Sequence, residues 1–177
     1  MRVITGTLGN RRFDAPGTFK THPMSDKARG ALFNILGDIE GLSVLDPFAG
    51  SGALSFEAIS RGAGPVVAIE LDRTAQKIIT ANIADLDIAD QITFVKASAN
   101  GWLSTNPDAQ FDLVLCDPPY DDMQPGLLAQ LAGRVVAGGI FVLSLPKDTA
   151  LPELPELELV EQRTYSRATL AFFRKNS

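Results

Sequence analysis

Two short segments carry residue types that could do chemistry. The more specific is Asp117-Pro118-Pro119-Tyr120, which follows the apolar run Phe111–Cys116. Two consecutive prolines fix φ and remove two N–H donors, so the backbone is rigid and the Pro118 carbonyl is free to accept. Such a site suits a planar exocyclic amine. The amine's lone pair is delocalised into its ring, which makes it a poor nucleophile. If the Asp117 carboxylate and the Pro118 carbonyl each accept one N–H, the lone pair turns out of the ring plane toward an activated methyl. Tyr120 supplies a face for base stacking, worth about 1–3 kcal/mol per base on single strands. The plain alternative is a proline-rich turn after a strand. Position favours the chemical reading, because open α/β sheets bind ligands at the carboxyl ends of their strands.

The second segment is Asp46-Pro47-Phe48-Ala49-Gly50-Ser51-Gly52, between a predicted strand and a predicted helix. Gly50 and Gly52 permit a tight turn and close approach of a ligand to the backbone. A phosphate cradle would need GxGxxG spacing or a GK[ST] lysine, and neither is present. Asp46 would also repel phosphate. A cationic ligand, such as the amino group of S-adenosyl-L-methionine, suits the loop better, although a plain βα turn remains open. One helix and one strand later, Glu70 closes Ala68-Ile69-Glu70-Leu71-Asp72, where a carboxylate can take both hydroxyls of a ribose. Ending a strand is the other reading of Glu70 and Asp72. With a methyl activated by its cofactor, the protein's work is chiefly positioning.

Other reactive residue types are sparse. His22, the single histidine, reads as a solvated loop side chain, and Cys116 as core. Trp102 is expected to cover the sheet, and Asn82 to be a hydrogen-bonded amide within an apolar helix stripe. One histidine and one cysteine exclude a His/Cys metal cage, and no metal is expected.

The elements that must position these residues are legible as alternating patterns. Short apolar runs at Ser43–Leu45, Val66–Leu71, Ile92–Val95, Phe111–Cys116 and Ile140–Leu145 alternate with helical patterns over Ala53–Arg61, Arg73–Leu86, Ser98–Ser104 and Gly126–Val136. Continuous apolar runs imply strands covered on both faces. Their alternation with helices implies an α/β fold with a doubly wound, mostly parallel sheet. Leu157–Arg163 and Ala168–Arg174 read as a terminal antiparallel hairpin. Upstream, Arg2–Thr7 and Arg11–Asp14 flank Leu8-Gly9-Asn10 and predict a small β-hairpin. Ser25 is placed to cap a helix carrying Ala28, Leu32, Ile35 and Leu36. One domain over 1–177 is expected: 1–24 as hairpin and loop extension, 25–177 as helix and α/β core.

Composition fits this outline. The chain has 177 residues, 45% of them hydrophobic, enough for one core. No apolar run approaches the roughly 18 residues of a membrane span, and the opening residues lack a signal peptide's apolar segment. A lone cysteine fits a reducing, cytoplasmic setting. Net charge is −5, but Arg2, Arg11, Arg12, Lys20, Lys27 and Arg29 in the first thirty residues face only Asp14 and Asp26. A basic arm on an acidic body suits a polyanionic partner; ordinary surface charge is the bland alternative.

The chain resembles class I methyltransferases of the D/N-P-P-Y/F type. More narrowly, it is similar to the bacterial small-subunit (16S) ribosomal RNA guanine-N2 methyltransferases, the RsmD-like family. The opening Met1–Ile4, Pro23–Leu36, Asp46–Gly52, Glu57–Gly62, Glu70 and Asp117–Tyr120 carry this likeness. The resemblance implies a Rossmann-like methyltransferase, active in rRNA processing, with S-adenosyl-L-methionine as cofactor. Asp46, Phe48, Ala49, Gly50, Ser51 and Gly52 would hold its methionine part and Glu70 its ribose, Ser98 and Ala99 would border its adenine, and Leu71 would also contact the cofactor. Asp117, Pro118 and Tyr120 would hold the target base, and Arg2, Arg11, Arg12 and Arg29 the RNA. The substrate would be small-subunit RNA or its assembly particle, met by a monomer. Adenine-N6 methylation of DNA and a non-catalytic RNA-binding module are the competing expectations. The chain departs from the family pattern at His22-Pro23-Met24, where Arg-Pro-Thr is usual. It also has Gly30 in place of Glu, and Ser98 where an acid or amide is common.

Overall fold

A computed structural model describes residues 1–17, 24–165 and 167–177. His22 and Pro23 lie outside the described residues. Helix α1 (Asp26–Leu36) begins where expected: the Ser25 hydroxyl accepts the Ala28 N–H, and Asp26 lies in the first turn. Five strands follow, β1 (Val44–Asp46), β2 (Val66–Glu70), β3 (Ile92–Lys96), β4 (Phe111–Cys116) and β5 (Val135–Pro146). They alternate with α2 (Ala53–Ser60), α3 (Arg73–Leu86), α4 (Ala99–Thr105) and α5 (Pro125–Ala132), and the hairpin β6 (Leu157–Tyr165) and β7 (Ala168–Lys175) closes the fold.

The seven strands form one sheet of order β3-β2-β1-β4-β5-β7-β6. Strands β1 to β5 are parallel, and β7 runs antiparallel between β5 and β6. The antiparallel strand is therefore one place in from the edge. The chain order reverses direction at β1, which has β2 on one side and β4 on the other. That pair of strand ends is the crevice where doubly wound sheets take ligands.

The continuous apolar runs have a direct cause. Leu113 and Leu115 of β4 pack with Phe56 of α2 and Ile79 of α3 on one face. Val114 and Cys116 pack with Leu103 of α4 and Leu131 of α5 on the other. Alternate side chains thus enter two separate cores, and neither face can be polar.

One helix boundary needs correction. Helix α5 stops at Ala132, not Val136, because Val135 opens β5. The register between β4 and β5 shifts between Phe111 and Leu113, opposite Gly138 and Gly139. A Cβ on Gly139 would lie 2.7 Å from the Asp112 carbonyl, so only glycine fits that close approach. The N-terminal arm is the small hairpin expected: around the antiparallel Arg2–Arg12 bridge, the Val3 N–H donates to the Arg11 carbonyl, the Asn10 N–H to the Val3 carbonyl and the Phe13 N–H to the Met1 carbonyl, and α2 and α3 hold it down.

Candidate active site

Asp46 ends β1 and is fully buried. The Ser55 hydroxyl, one turn into α2, donates to Asp46 Oδ2 at 2.7 Å. Oδ1 is buried and has no partner. Burial, with help from the charges of Asp117 and Glu70, pushes the carboxyl up to about 7, against the Ser55 hydroxyl and the nearby Phe48 backbone N–H. An unpaired acceptor there is costly unless a donor arrives from elsewhere. Gly50 and Gly52 take positive φ of 56° and 82°, and a Cβ on Gly52 would strike the Phe56 ring at 2.4 Å. One buried acceptor oxygen beside a glycine turn thus fits the ammonium of S-adenosyl-L-methionine.

Glu70 ends β2 beside it. Its Oε2 accepts the Gly50 N–H at 2.7 Å and its Oε1 the Asp72 N–H at 2.6 Å. These bonds orient the carboxylate and tie the glycine loop to β2, and each oxygen keeps a lone pair for a further donor. Burial raises its pKa, partly offset by those N–H groups. Leu71, next in sequence, is 67% exposed, an unusual position for a large apolar side chain beside a polar cleft. Phe48 is half-buried, and Ala49 and Ser51 are buried in the turn. Ser98 is committed to its own helix: its hydroxyl accepts the Gly101 N–H at 3.1 Å and caps α4. Ala99, the first residue of α4, is buried.

Asp117 follows β4, the other neighbour of β1. Burial pushes its carboxyl up to about 6, while the Ser144 hydroxyl on β5 opposes the shift. Pro118 is buried and Pro119 exposed. Tyr120 leaves 36% of its surface open, and its hydroxyl lies 2.9 Å from Ser144 Oγ. The sheet therefore brings Asp46, Glu70 and Asp117 together, with an exposed aromatic ring at the mouth.

The four arginines meet different fates. Arg29 is fully buried; its Nη2 donates to the Arg2 carbonyl at 2.7 Å and to Asp26 at 2.9 Å. It cannot reach RNA from there and is a structural cation, which corrects its assignment from sequence. Arg11 donates to the Asp85 and Leu86 carbonyls at the C-terminal end of α3. Arg2 is exposed and pairs with Asp26 at 3.2 Å. Arg12 is exposed. The turn of the arm sits on Ser60, the last residue of α2, through Thr7 and Leu8. Crossover helices end opposite the strands' carboxyl ends, so this turn points away from Asp117.

Three polar residues have roles that the motifs did not give. Glu57, fully buried, accepts the Ile4 and Thr5 N–H groups at 2.7 and 3.2 Å and pairs with Arg61 at 2.9 Å. Ser55 and Ser144 serve the site directly. The signal for Ser144 was a lone hydroxyl inside an apolar strand; Ser55 shares α2 with Glu57 and Ser60 and had no such signal. Asn82 is the bonded amide expected, exchanging two hydrogen bonds with the Asp14 backbone at 3.0 and 2.8 Å.

A doubly wound sheet of this strand order, with acidic residues ending β1 and β2 and Asp-Pro-Pro-Tyr after β4, defines a class I methyltransferase. Within that class, the chain belongs to the family described as Conserved hypothetical protein 95, whose model matches residues 1–174. It is 35% identical over 162 residues to Ribosomal RNA small subunit methyltransferase D of Escherichia coli K12, covering 88% of this chain and 79% of that one. It is 25% identical over 232 residues to the methylase RP545 of Rickettsia prowazekii, covering 100% and 98%. Among solved structures, a hypothetical protein of Thermus thermophilus, TTHA0928, matches with TM-score 0.84 and 29% identity over 97% of this chain and 98% of that one.

Proposed function

We propose that the chain transfers a methyl group from S-adenosyl-L-methionine to the exocyclic N2 amine of a guanine in small-subunit ribosomal RNA. The observation that carries this reading is the meeting of two carboxylates at adjacent strand ends. One has an unpartnered buried oxygen for a cation, and the other is followed by two prolines and an exposed aromatic ring. The name of the Escherichia coli relative supports RNA as the acceptor.

The cofactor supplies a methyl already activated on a cationic sulfonium. In this reading, Asp46 Oδ1 accepts from its ammonium, and the spare lone pairs of Glu70 accept its ribose hydroxyls. Leu71, Ser98 and Ala99 border its adenine, the last with a backbone N–H. Phe48, Ala49, Gly50, Ser51 and Gly52 wrap the methionine part. Asp117 and the Pro118 carbonyl accept the two N–H groups of the target amine, and Tyr120 stacks on its base. Such an amine lies in a stack or helix, so the base is splayed out to reach the cleft. Water takes the proton released after transfer. Asp117 works as the carboxylate, so activity rises as pH rises through about 6. Arg2 and Arg12 give phosphate contacts on the arm, and the partner is the RNA or its assembly particle in the cytoplasm.

Mass spectrometry of nucleosides tests this. Small-subunit particles from a strain lacking the activity are incubated with protein and labelled cofactor. N2-methylguanosine is expected. Label in N6-methyladenosine, or in DNA and not RNA, would contradict the reading.

A further inference from the structure

Strands β5 and β7 outlast β4. The last residue of β4, Cys116, pairs with Leu143, and beyond it Ser144 pairs with Leu170, Leu145 with Thr169 and Pro146 with Ala168. Strand β6 accompanies them, pairing Arg163 with Leu170, Thr164 with Thr169 and Tyr165 with Ala168. At about 3.3 Å per residue, this three-stranded wall rises roughly 10 Å past the end of β4. The Tyr120 hydroxyl lies 2.9 Å from Ser144 Oγ, so the tyrosine leans on the foot of the wall. The wall thus stands on the acceptor side of the cleft. Asp46 and Glu70, at β1 and β2, lie on the other side of Asp117.

The top of the wall is basic. Lys147 follows β5, and its N–H donates to the Arg167 carbonyl at 2.9 Å, which ties the two strand ends together. Both residues are exposed, and neither side chain forms an ion pair among the described residues. Asp148 follows Lys147 without pairing with it. Arg163 is exposed too, in the same cross-strand row as Ser144, but Glu161 holds it at 2.8 Å. Lys147 and Arg167 are therefore the cations left to spare. A base held against Tyr120 leads its strand past this wall. The turn of the N-terminal arm, seated on Ser60 at the far end of α2, is too remote to hold the RNA there. Arg and Lys contacts to phosphate fix the register and orientation of a nucleic acid. Taking the proposed function as the reaction, we propose that Lys147 and Arg167 form a phosphate-contact surface that holds the RNA backbone flanking the target base.

Lys147→Ala, Arg167→Ala and the double variant test this against Arg174→Ala. Arg174 is an exposed cation near the opposite end of β7, roughly 20 Å from Arg167, and its loss changes net charge equally. Filter binding to small-subunit RNA across salt is the first readout. Each substitution at the wall should weaken binding several-fold and lower the salt slope by about one, and the double variant by about two. Lys147→Arg and Arg167→Lys should restore both. Methyl transfer to small-subunit particles is the second. The wall variants should raise KM for the particle several-fold, with kcat, cofactor affinity and melting temperature unchanged. A double variant with the same salt slope and KM as Arg174→Ala would overturn the proposal. If the slopes fall as expected but wild-type protein does not methylate the particles, the RNA surface stands and the methyl-transfer reading fails.

Discussion

Helix α2 separates two treatments of buried charge. On its outer side the buried Glu57 carboxylate accepts from Ile4, Thr5 and Arg61 and lies 4.0 Å from Arg29 Nε, which is itself buried without a hydrogen-bond partner. On its inner side, at the ends of β1, β2 and β4, three carboxylates crowd together. One of them keeps an unpartnered oxygen, and no cation among the described residues pairs with them. The first region holds the arm onto the sheet. The second raises the free energy of the empty protein and is relieved when a cation enters. A carboxylate paired with cations holds the molecule together, and carboxylates crowded without a cation mark the candidate site.

The largest effect is expected at Glu57. Glu57→Ala leaves Arg29 buried without its neighbour and two N–H groups unbonded, so stability should fall by about 3–5 kcal/mol. Urea unfolding checks this; a loss below about 1 kcal/mol would break the contrast. Next, Asp117→Ala should lower kcat/KM for RNA by roughly 10²–10³-fold with the fold intact, read by initial rates. Asp46→Asn sharpens the contrast by acting in opposite directions. It should raise the melting temperature of the free protein and weaken cofactor binding by roughly 10- to 100-fold, since a bond to a charged group is lost.

The pH dependence follows from the same groups. Asp46, Asp117 and Glu70 hold their protons more tightly folded than unfolded. Their contribution to stability is full below the ordinary carboxylate range and is lost as pH rises through about 6 for Asp117 and about 7 for Asp46. Asp26 and Asp112, whose pKa values are lowered, act the other way, and their stabilisation is lost only in acid. Between pH 5 and 8 the melting temperature of the free protein should therefore fall by roughly 3–6 °C. Asp46→Asn should flatten that slope. The smallest effects separate the arginines. Arg12→Ala should weaken RNA binding and lower its salt slope by about one, measured by filter binding. Arg11→Ala should instead cost about 0.5–1 kcal/mol of stability at the end of α3.

The site was legible wherever chemistry imposed a local pattern. Asp117–Tyr120, Asp46–Gly52 and Glu70 stand at strand ends because a doubly wound sheet brings its ligand there, and the strands themselves show as apolar runs. What stayed hidden depends on contacts distant in sequence. Nothing near Glu57 announces that it will accept N–H groups from Ile4 and Thr5. Arg29 looked like one of several arm cations, and only the packing of α1 on the arm buries it. The end of α5 was misjudged because Leu-rich helix and the apolar start of β5 read as one stretch.

Calorimetric titration of S-adenosyl-L-methionine into wild type and Asp46→Asn, from pH 5.5 to 7.5, tests the paired claim most directly. Wild-type affinity should rise with pH toward a plateau above about 7, with proton release at the acidic end, as Asp46 is ionised to meet the ammonium. In Asp46→Asn binding should be weak and its rise with pH reduced. Equal affinities and equal pH profiles in the two proteins would contradict a cofactor site built on an unsatisfied carboxylate.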